Sequence, residues 1–286
     1  MRLVLIGKKG QVAREIQNLV SDSISLITLS RKELDLLDPD ACVKYISKLE
    51  ADVIINAAAY TNVDQAEREV DKANTINALS PSAIANYSAS KEIPLIHLST
   101  DYVFEGTGIN SWKPEDPPNP ISVYGRSKMK GERGVLASKG NHVILRTSWI
   151  FSSFGTNFLK KIVELSKSKR EINVISDQIG GPTPACELAK ACLDISQKIK
   201  LDPHKKGIYH FSGKPNISWA GFAKEIINQL GAEVIINDVS TNDFKNVARR
   251  PYNSRLDCSS LKKEFNIEQP KWKGSLSSAL KQLKEV

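Results

Sequence analysis

Cysteine is scarce in this chain. There are four in 286 residues (Cys42, Cys186, Cys192 and Cys258), and no two form a Cys-x-x-Cys pair. That argues against a disulfide framework and a thiolate metal cluster, and leaves free, mostly buried thiols as the expectation. The four histidines lack ligand spacing, so no metal site is expected from them; His97 and His210 fall in strand-like runs and are expected to be packed. No apolar run approaches the length of a membrane span. The sequence enters a strand pattern at Arg2 with no signal-peptide pattern, so a cytoplasmic address and no membrane partner are expected. Internal repeats and low-complexity linkers are also missing. Net charge is +8, but there is no basic block interleaved with aromatics. The lysines fall on apparent helix faces, as at Lys160, Lys161, Lys167 and Lys169, so nucleic acid is not an expected partner. The positive balance instead suits anionic small molecules such as a nucleotide cofactor and a nucleotide-linked substrate.

What is present is alternation. Arg2–Ile6 is a continuous apolar run ending at Gly7, and a helix pattern follows from Gln11 to about Val20. Ile24–Leu29 reads as the second strand, and Asp38-Pro39 as an N-cap and first helical residue. Asp52–Ala58, Pro94–Ser99 and Val143–Arg146 read as further buried strands, with helices over about Asn74–Lys91 and around Tyr124–Lys128. Strands alternating with helices imply an α/β fold, a Rossmann-type doubly wound parallel sheet. Beyond Trp149 the regularity weakens, with strands expected at 172–175, 208–211 and 234–236. The expected organisation is a dinucleotide-binding domain over residues 1–150. Residues 151–286 are expected to form mainly a smaller C-terminal substrate-binding lobe, with some segments returning to the sheet.

Gly7-Lys8-Lys9-Gly10-Gln11-Val12-Ala13 stands where the first strand turns into the first helix. There, backbone N–H groups and a helix N-terminus favour a pyrophosphate, and Gly7 and Gly10 permit its close approach. The second strand ends Leu29-Ser30-Arg31. A hydroxyl and a guanidinium suit a ribose 2′-phosphate, so NADPH is favoured, with NADH left open. Ala57, Ala58 and Ala59 follow the third strand, and three small residues let a flat cofactor lie against the backbone.

Tyr-x-x-x-Lys spacing occurs twice, at Tyr87/Lys91 and Tyr124/Lys128. Spacing alone decides nothing, because seven tyrosines in a Lys-rich chain make one accidental match expected. Position decides: ligands collect at the carboxyl ends of the strands. Tyr124 follows that end of the fourth strand, beside Ser99 and Thr100, whereas Tyr87 feeds its start. Reducing a ketone requires a hydride on carbon and a proton on oxygen. A tyrosine with a lysine one helical turn away is suited to deliver that proton, and the Thr100 hydroxyl to orient the carbonyl.

Several pieces, in order, now carry a resemblance. They are Gly7-Lys8-x-Gly10-Gln11-Val12, Asn56–Thr61 with Val63-Asp64 and Ala66-Glu67, Ser99–Phe104, Tyr124–Lys128, Arg146–Trp149, Gln178-x-Gly180-x-Pro182-Thr183 and Arg250-Pro251-x-x-Ser254-x-Leu256-Asp257. Over nearly its whole length the chain resembles the extended short-chain dehydrogenase/reductases, and within them the dTDP-4-dehydrorhamnose reductase family. The resemblance implies that Thr100, Tyr124 and Lys128 are catalytic and that Val63, Tyr102 and Trp149 line the substrate pocket. It places Asp35 and Leu36 at the adenine and Thr61 near the nicotinamide. It implies a nucleotide-sugar substrate, reduction of a 4-keto deoxysugar in polysaccharide precursor synthesis, and a monomer or homodimer. Two departures stand out: Phe151-Ser152 replaces the usual Tyr-Gly, which bears on the pocket, and Asp257 replaces an Asn. Some relatives hold magnesium at a dimer interface; Glu15 and Glu187 match two such positions, and magnesium is left open here. A dehydratase of this fold uses Asp-Glu after the Ser/Thr, whereas Asp101 is followed by Tyr102. An NAD-recycling epimerase and a non-catalytic NADP-binding module, like the β subunit of methionine adenosyltransferase, stay open as alternatives.

Overall fold

The computed structural model describes residues 1–244 and 247–284. In chain order its elements are β1 (Arg2–Ile6), α1 (Gln11–Leu19), β2 (Ser25–Leu29), α2 (Pro39–Ile46), β3 (Val53–Asn56), α3 (Val63–Ala66), α4 (Val70–Asn74), α5 (Ser80–Ser90), β4 (Leu95–Thr100), α6 (Val123–Ala137) and β5 (His142–Thr147). There follow β6 (Ile150–Phe151), α7 (Phe158–Ser166), β7 (Glu171–Ile175), β8 (Ile179–Gly180), β9 (Thr183–Pro184), α8 (Ala185–Leu201), β10 (Gly207–His210), β11 (Ile217–Ser218), α9 (Trp219–Leu230), β12 (Ile235–Val239), β13 (Asn253–Ser254), α10 (Ser259–Phe265) and α11 (Trp272–Lys284).

Six strands form one parallel sheet in the order β10-β5-β4-β3-β1-β2. Successive side chains point to opposite faces, and here both faces are apolar. Leu3, Leu5, Val53, Ile55, Val143 and Leu145 face α1, α8 and α10. Val4, Ile6, Ile54, Leu95 and Ile144 face α2, α5 and α6. Each such side chain contributes about 2 kcal/mol of burial, which makes the sheet the rigid platform of the molecule. The chain leaves β1 for β2 on one side and then crosses to β3 on the other. That reversal opens a crevice at the carboxyl ends of β1 and β3.

A second apolar cluster lies beyond Trp149, built from Phe151, α7, β7, α9 and α11 around Phe222 and Trp272. The expected strand near 172–175 is β7, and the one near 234–236 is β12, paired parallel with it. The strand near 208–211 is β10, which joins the large sheet beside β5.

The helix expected over 74–91 contains a π-helical stretch at Thr75–Leu79 between α4 and α5. Such a bulge re-aims one side chain. Here Asn77, buried, accepts from the Tyr60 N–H at 2.8 Å and donates to the Tyr60 carbonyl at 3.0 Å and to Ser127 Oγ at 2.9 Å. It ties the turn after β3 to α6. Helix α6 can come that close because it carries glycine at three contacts, Gly134 against Ser82 among them. A Cβ at Gly131 would stand 2.0 Å from the Asn77 carbonyl oxygen, and one at Gly125 would stand 2.2 Å from that of Tyr102.

Candidate active site

A groove of about 710 Å³ lies along the crevice between β1 and β3. Gly7 turns out of β1 with φ +108°, a backbone open chiefly to glycine; a Cβ there would press on the Ala58 amide at 3.0 Å. Gly10 is the N-cap of α1 and supplies no side-chain cap, which leaves the first N–H groups of that helix available to an anion. Every residue expected at the cofactor lines this groove, from Gly7–Val12 through Ser30, Arg31, Asp35, Leu36 and the Ala57–Thr61 turn to Tyr124 and Lys128. Lys8, Lys9, Lys32 and Lys72 line it as well, adding four cations that the motifs do not single out.

Around the end of β2, Arg31 Nε reaches Asp35 Oδ2 at 3.4 Å, with both side chains well exposed. Glu33 Oε2 accepts from the Ser30 N–H at 2.8 Å and from the Ser30 hydroxyl. Those bonds hold the Glu33 carboxyl below its ordinary range. In the free chain, therefore, a carboxylate sits where the Ser30 hydroxyl was expected to meet a phosphate. Glu33 lies three residues past the strand end, which is why the motif did not reveal it.

At the carboxyl end of β4 the hydroxyls diverge. Ser99 Oγ donates inward to Glu132 Oε1 at 2.5 Å, and Glu132 is gripped by Arg146 Nε at 2.9 Å and Nη2 at 2.7 Å. This ion pair is buried on both sides, so removing one partner costs about 3–5 kcal/mol. Arg146 also donates to the Pro114 carbonyl at 3.2 Å, which fixes the Pro-rich loop. Thr100 Oγ1 donates to Asp101 Oδ1 at 3.0 Å and faces the Tyr124 phenol. Asp101 is buried, and its Oδ2 has no hydrogen-bond partner. Burial raises its carboxyl to about 6, against smaller hydrogen-bond contributions from Ser254 and Thr100.

Tyr124 and Lys128 sit on α6, whose N-cap Ser122 accepts from the Gly125 N–H at 3.1 Å; the Val123 N–H donates to Glu67 Oε1 at 2.8 Å. Burial pushes the Tyr124 phenol up, partly offset by the Thr100 hydroxyl. Lys128 was expected to act on that phenol. In the free chain its Nζ instead donates to the Leu98 carbonyl at 2.6 Å and lies 3.3 Å from His97 Nε2. Burial lowers Lys128 to about 8, with Glu132 opposing. Tyr87 packs against the cluster that holds α2 and α5, and Lys91 ends α5 just before β4 begins, at the opposite edge of the sheet from Thr100.

A family model described as RmlD substrate binding domain matches residues 1–285. The chain belongs to the dTDP-4-dehydrorhamnose reductase family. It is 39% identical to the dTDP-4-dehydrorhamnose reductase of Sinorhizobium fredii, over 96% of this chain and 95% of that one. Its fold matches that of a dTDP-4-dehydrorhamnose reductase from Clostridium acetobutylicum with TM-score 0.93 at 33% identity, covering 99% of this chain and 100% of that one. It matches the Bacillus anthracis enzyme, solved in complex with NADP, with TM-score 0.92 at 32% identity, covering 98% and 99%. A dTDP-glucose 4,6-dehydratase from Streptomyces venezuelae shares the fold at 15% identity, with TM-score 0.81 and coverage of 100% and 97%.

The residues that the family resemblance assigns to the substrate lie beside the groove. The Tyr102 ring stands edge-on to Tyr124, with centroids 5.4 Å apart. Val63 opens α3. Trp149 adopts φ +49°, a costly backbone for a bulky residue, and its indole stacks on Trp219 at 3.6 Å between centroids. Trp219, at the start of α9, is a contact that only the folded chain shows. Of the Phe151-Ser152 departure, Phe151 packs on Phe222 in the C-terminal core, while Ser152 reaches the groove through Gln11. Ser152 Oγ and Asn157 Nδ2 both donate to Gln11 Oε1, at 3.3 and 2.7 Å. Asp257 accepts from the Ser259 N–H at 2.8 Å at the start of α10.

Glu15 and Glu187 do not fit a divalent cation within one chain. Lys190 Nζ binds Glu187 Oε1 at 2.9 Å, and its charge also acts on Glu15. Among the described residues no three potential ligands cluster. The four cysteines are free. No helix among the described residues is long and apolar enough to cross a membrane.

Proposed function

We propose that this chain reduces the 4-keto group of dTDP-4-dehydrorhamnose, yielding dTDP-rhamnose for polysaccharide precursor synthesis, with NADPH as reductant. The observation that carries the reading is the Tyr124 phenol beside the Thr100 hydroxyl, Tyr124 lining the groove that begins at the Gly7–Gly10 turn. Bound in that groove, the reduced nicotinamide supplies the hydride. Tyr124, kept protonated by its burial, holds the proton destined for the sugar O4. Thr100 turns its hydroxyl from Asp101 toward the carbonyl and orients it. Lys128, on α6 with its Nζ against the Leu98 carbonyl of β4, would hold the ribose, and in its ammonium form would return a proton to Tyr124 once the phenol has given up its own. Val63, Tyr102 and Trp149 take the sugar nucleotide, with residues 1–150 as the dinucleotide domain and 151–286 mainly as the substrate lobe. Asp101-Tyr102 in place of Asp-Glu supports reduction over dehydration.

The decisive assay mixes the chain with dTDP-4-dehydro-6-deoxy-L-mannose and NADPH. Stoichiometric loss of nicotinamide absorbance is expected, and no net oxidation sinks the reading in favour of an epimerase or a binding module. Tyr124→Phe is expected to lower kcat by about a thousandfold while changing NADPH affinity far less. Arg31, freed from Asp35, is assigned to the 2′-phosphate. Arg31→Ala is expected to raise KM for NADPH much more than for NADH, and equal effects on both overturn the assignment.

A further inference from the structure

The hydrogen bonds behind Lys128 can be counted proton by proton. Lys128 and His97 are buried, at 2% and 0% exposure. His97 presents Nε2 to Lys128 Nζ at 3.3 Å and Nδ1 to Asn56 Nδ2 at 3.2 Å. Asn56 ends β3, and its Oδ1 accepts from the Ala58 N–H at 3.2 Å. A backbone N–H only donates, so this bond fixes which way the Asn56 amide faces: oxygen to Ala58, nitrogen to His97. An amide NH₂ also only donates, so Nδ1 of His97 must accept. Burial holds His97 far below its ordinary range, and a neutral imidazole carries one proton. That proton is therefore on Nε2 and points at Nζ. An ammonium has no lone pair to receive it, whereas a neutral amine has one and still donates to the Leu98 carbonyl.

We propose that Asn56 and His97 are positioning residues, Asn56 fixing His97 as the Nε2–H tautomer and His97 thereby biasing Lys128 toward the neutral amine. The inference rests on the reading of Lys128 as part of the proton-delivery group. The charged and titratable neighbours divide clearly. Glu132, one turn on along α6, favours the ammonium, but its carboxylate is already engaged by Arg146 from β5 and Ser99 from β4. Tyr124, one turn back on α6, is neutral. His142, at the start of β5, acts on His97 but is itself neutral above about pH 4. Burial and the His97 proton act together against the charge on Lys128. The amine is thus able to gain or lose a proton near neutrality, which a solvated lysine cannot do.

The test uses the free, full-length chain labelled with ¹⁵N-histidine and ¹³C-lysine. Long-range ¹H–¹⁵N correlations, with His97 assigned by its loss in His97→Gln, are expected to show Nδ1 bare and Nε2 protonated at pH 7. An Nδ1–H tautomer or an imidazolium overturns the proposal. His97→Gln is chosen because it can offer a carbonyl oxygen to Lys128 in place of the N–H donor. The Lys128 ¹³Cε titration is expected to move up by about one pH unit in that variant. An unmoved or lowered midpoint overturns the proposal, and if the variant does not fold, the wild-type tautomer decides, with His97 assigned through backbone correlations in the uniformly labelled chain. Neither readout needs turnover. A chain that reduces the sugar but shows the other tautomer loses this inference alone, and a chain with the expected tautomer but no turnover loses only the reductase reading.

Discussion

Asp101 is a costly side chain in the site, a buried carboxyl with one oxygen unpartnered. Its folded pKa of about 6 lies above the ordinary 3.8, so between those values the native chain binds more protons than the unfolded one. Stability therefore falls as pH rises from about 4 to about 6 and stays lowered above it. Asp101→Asn is expected to raise Tm by several degrees at pH 7.5, with the gain vanishing toward pH 4, as measured by thermal melts across that range. A gain independent of pH, or none, contradicts the assignment. The retained cost fits a residue that holds the Thr100 proton in reserve, the trade of stability for function seen at strained sites. Residue types and order picked out Thr100, Tyr124 and Lys128 as candidates, and the fold brings the Thr100 hydroxyl to the Tyr124 phenol. His97 was read as a packed strand residue. It is packed, but its partner comes from 31 positions away, and no local pattern reveals a contact of that kind.

Helix α6 is positioned by what it lacks. Alanine in a helix interior ordinarily gains about 1 kcal/mol over glycine. At Gly131 the added methyl meets a backbone carbonyl at 2.0 Å, and overpacking of that kind costs about 1–3 kcal/mol. The clash wins, so Gly131→Ala is expected to destabilise the chain and lower kcat together. Gly274→Ala, in α11 with nothing within 4 Å, is expected to stabilise by about 0.5 kcal/mol. Paired denaturant titrations decide between them, and a stabilised Gly131→Ala refutes the close-approach account. The elements of the first half were legible because buried parallel strands read as unbroken apolar runs. The two-residue strands β6, β8, β9, β11 and β13 were not, since two residues carry no periodicity. The π-helical stretch at Thr75–Leu79 was also hidden: it answers to Tyr60 and α6, and nothing in its own residue types marks a π-turn.

For the whole molecule the excess of eight positive charges matters only where it converges. Lys8, Lys9, Arg31 and Lys32 all border one groove. Affinity for NADPH is expected to weaken by about threefold or more between 50 and 500 mM salt, and that for NADH by less, in titrations followed by fluorescence. Equal slopes for the two cofactors contradict the placement of the 2′-phosphate among these cations. The groove is also where the two halves of the chain meet, for Ser152 and Asn157 reach back to Gln11 beside the glycine turn. The stacked indoles of Trp149 and Trp219 span the same junction, one following β5 and the other opening α9. Their planes differ by 9° at 3.6 Å, close enough for their electronic transitions to mix. The pair is thus a built-in optical gauge: where their in-plane transition dipoles are twisted against one another, a far-ultraviolet couplet follows the spacing of the two rings, and a ligand that parts them announces itself without a label.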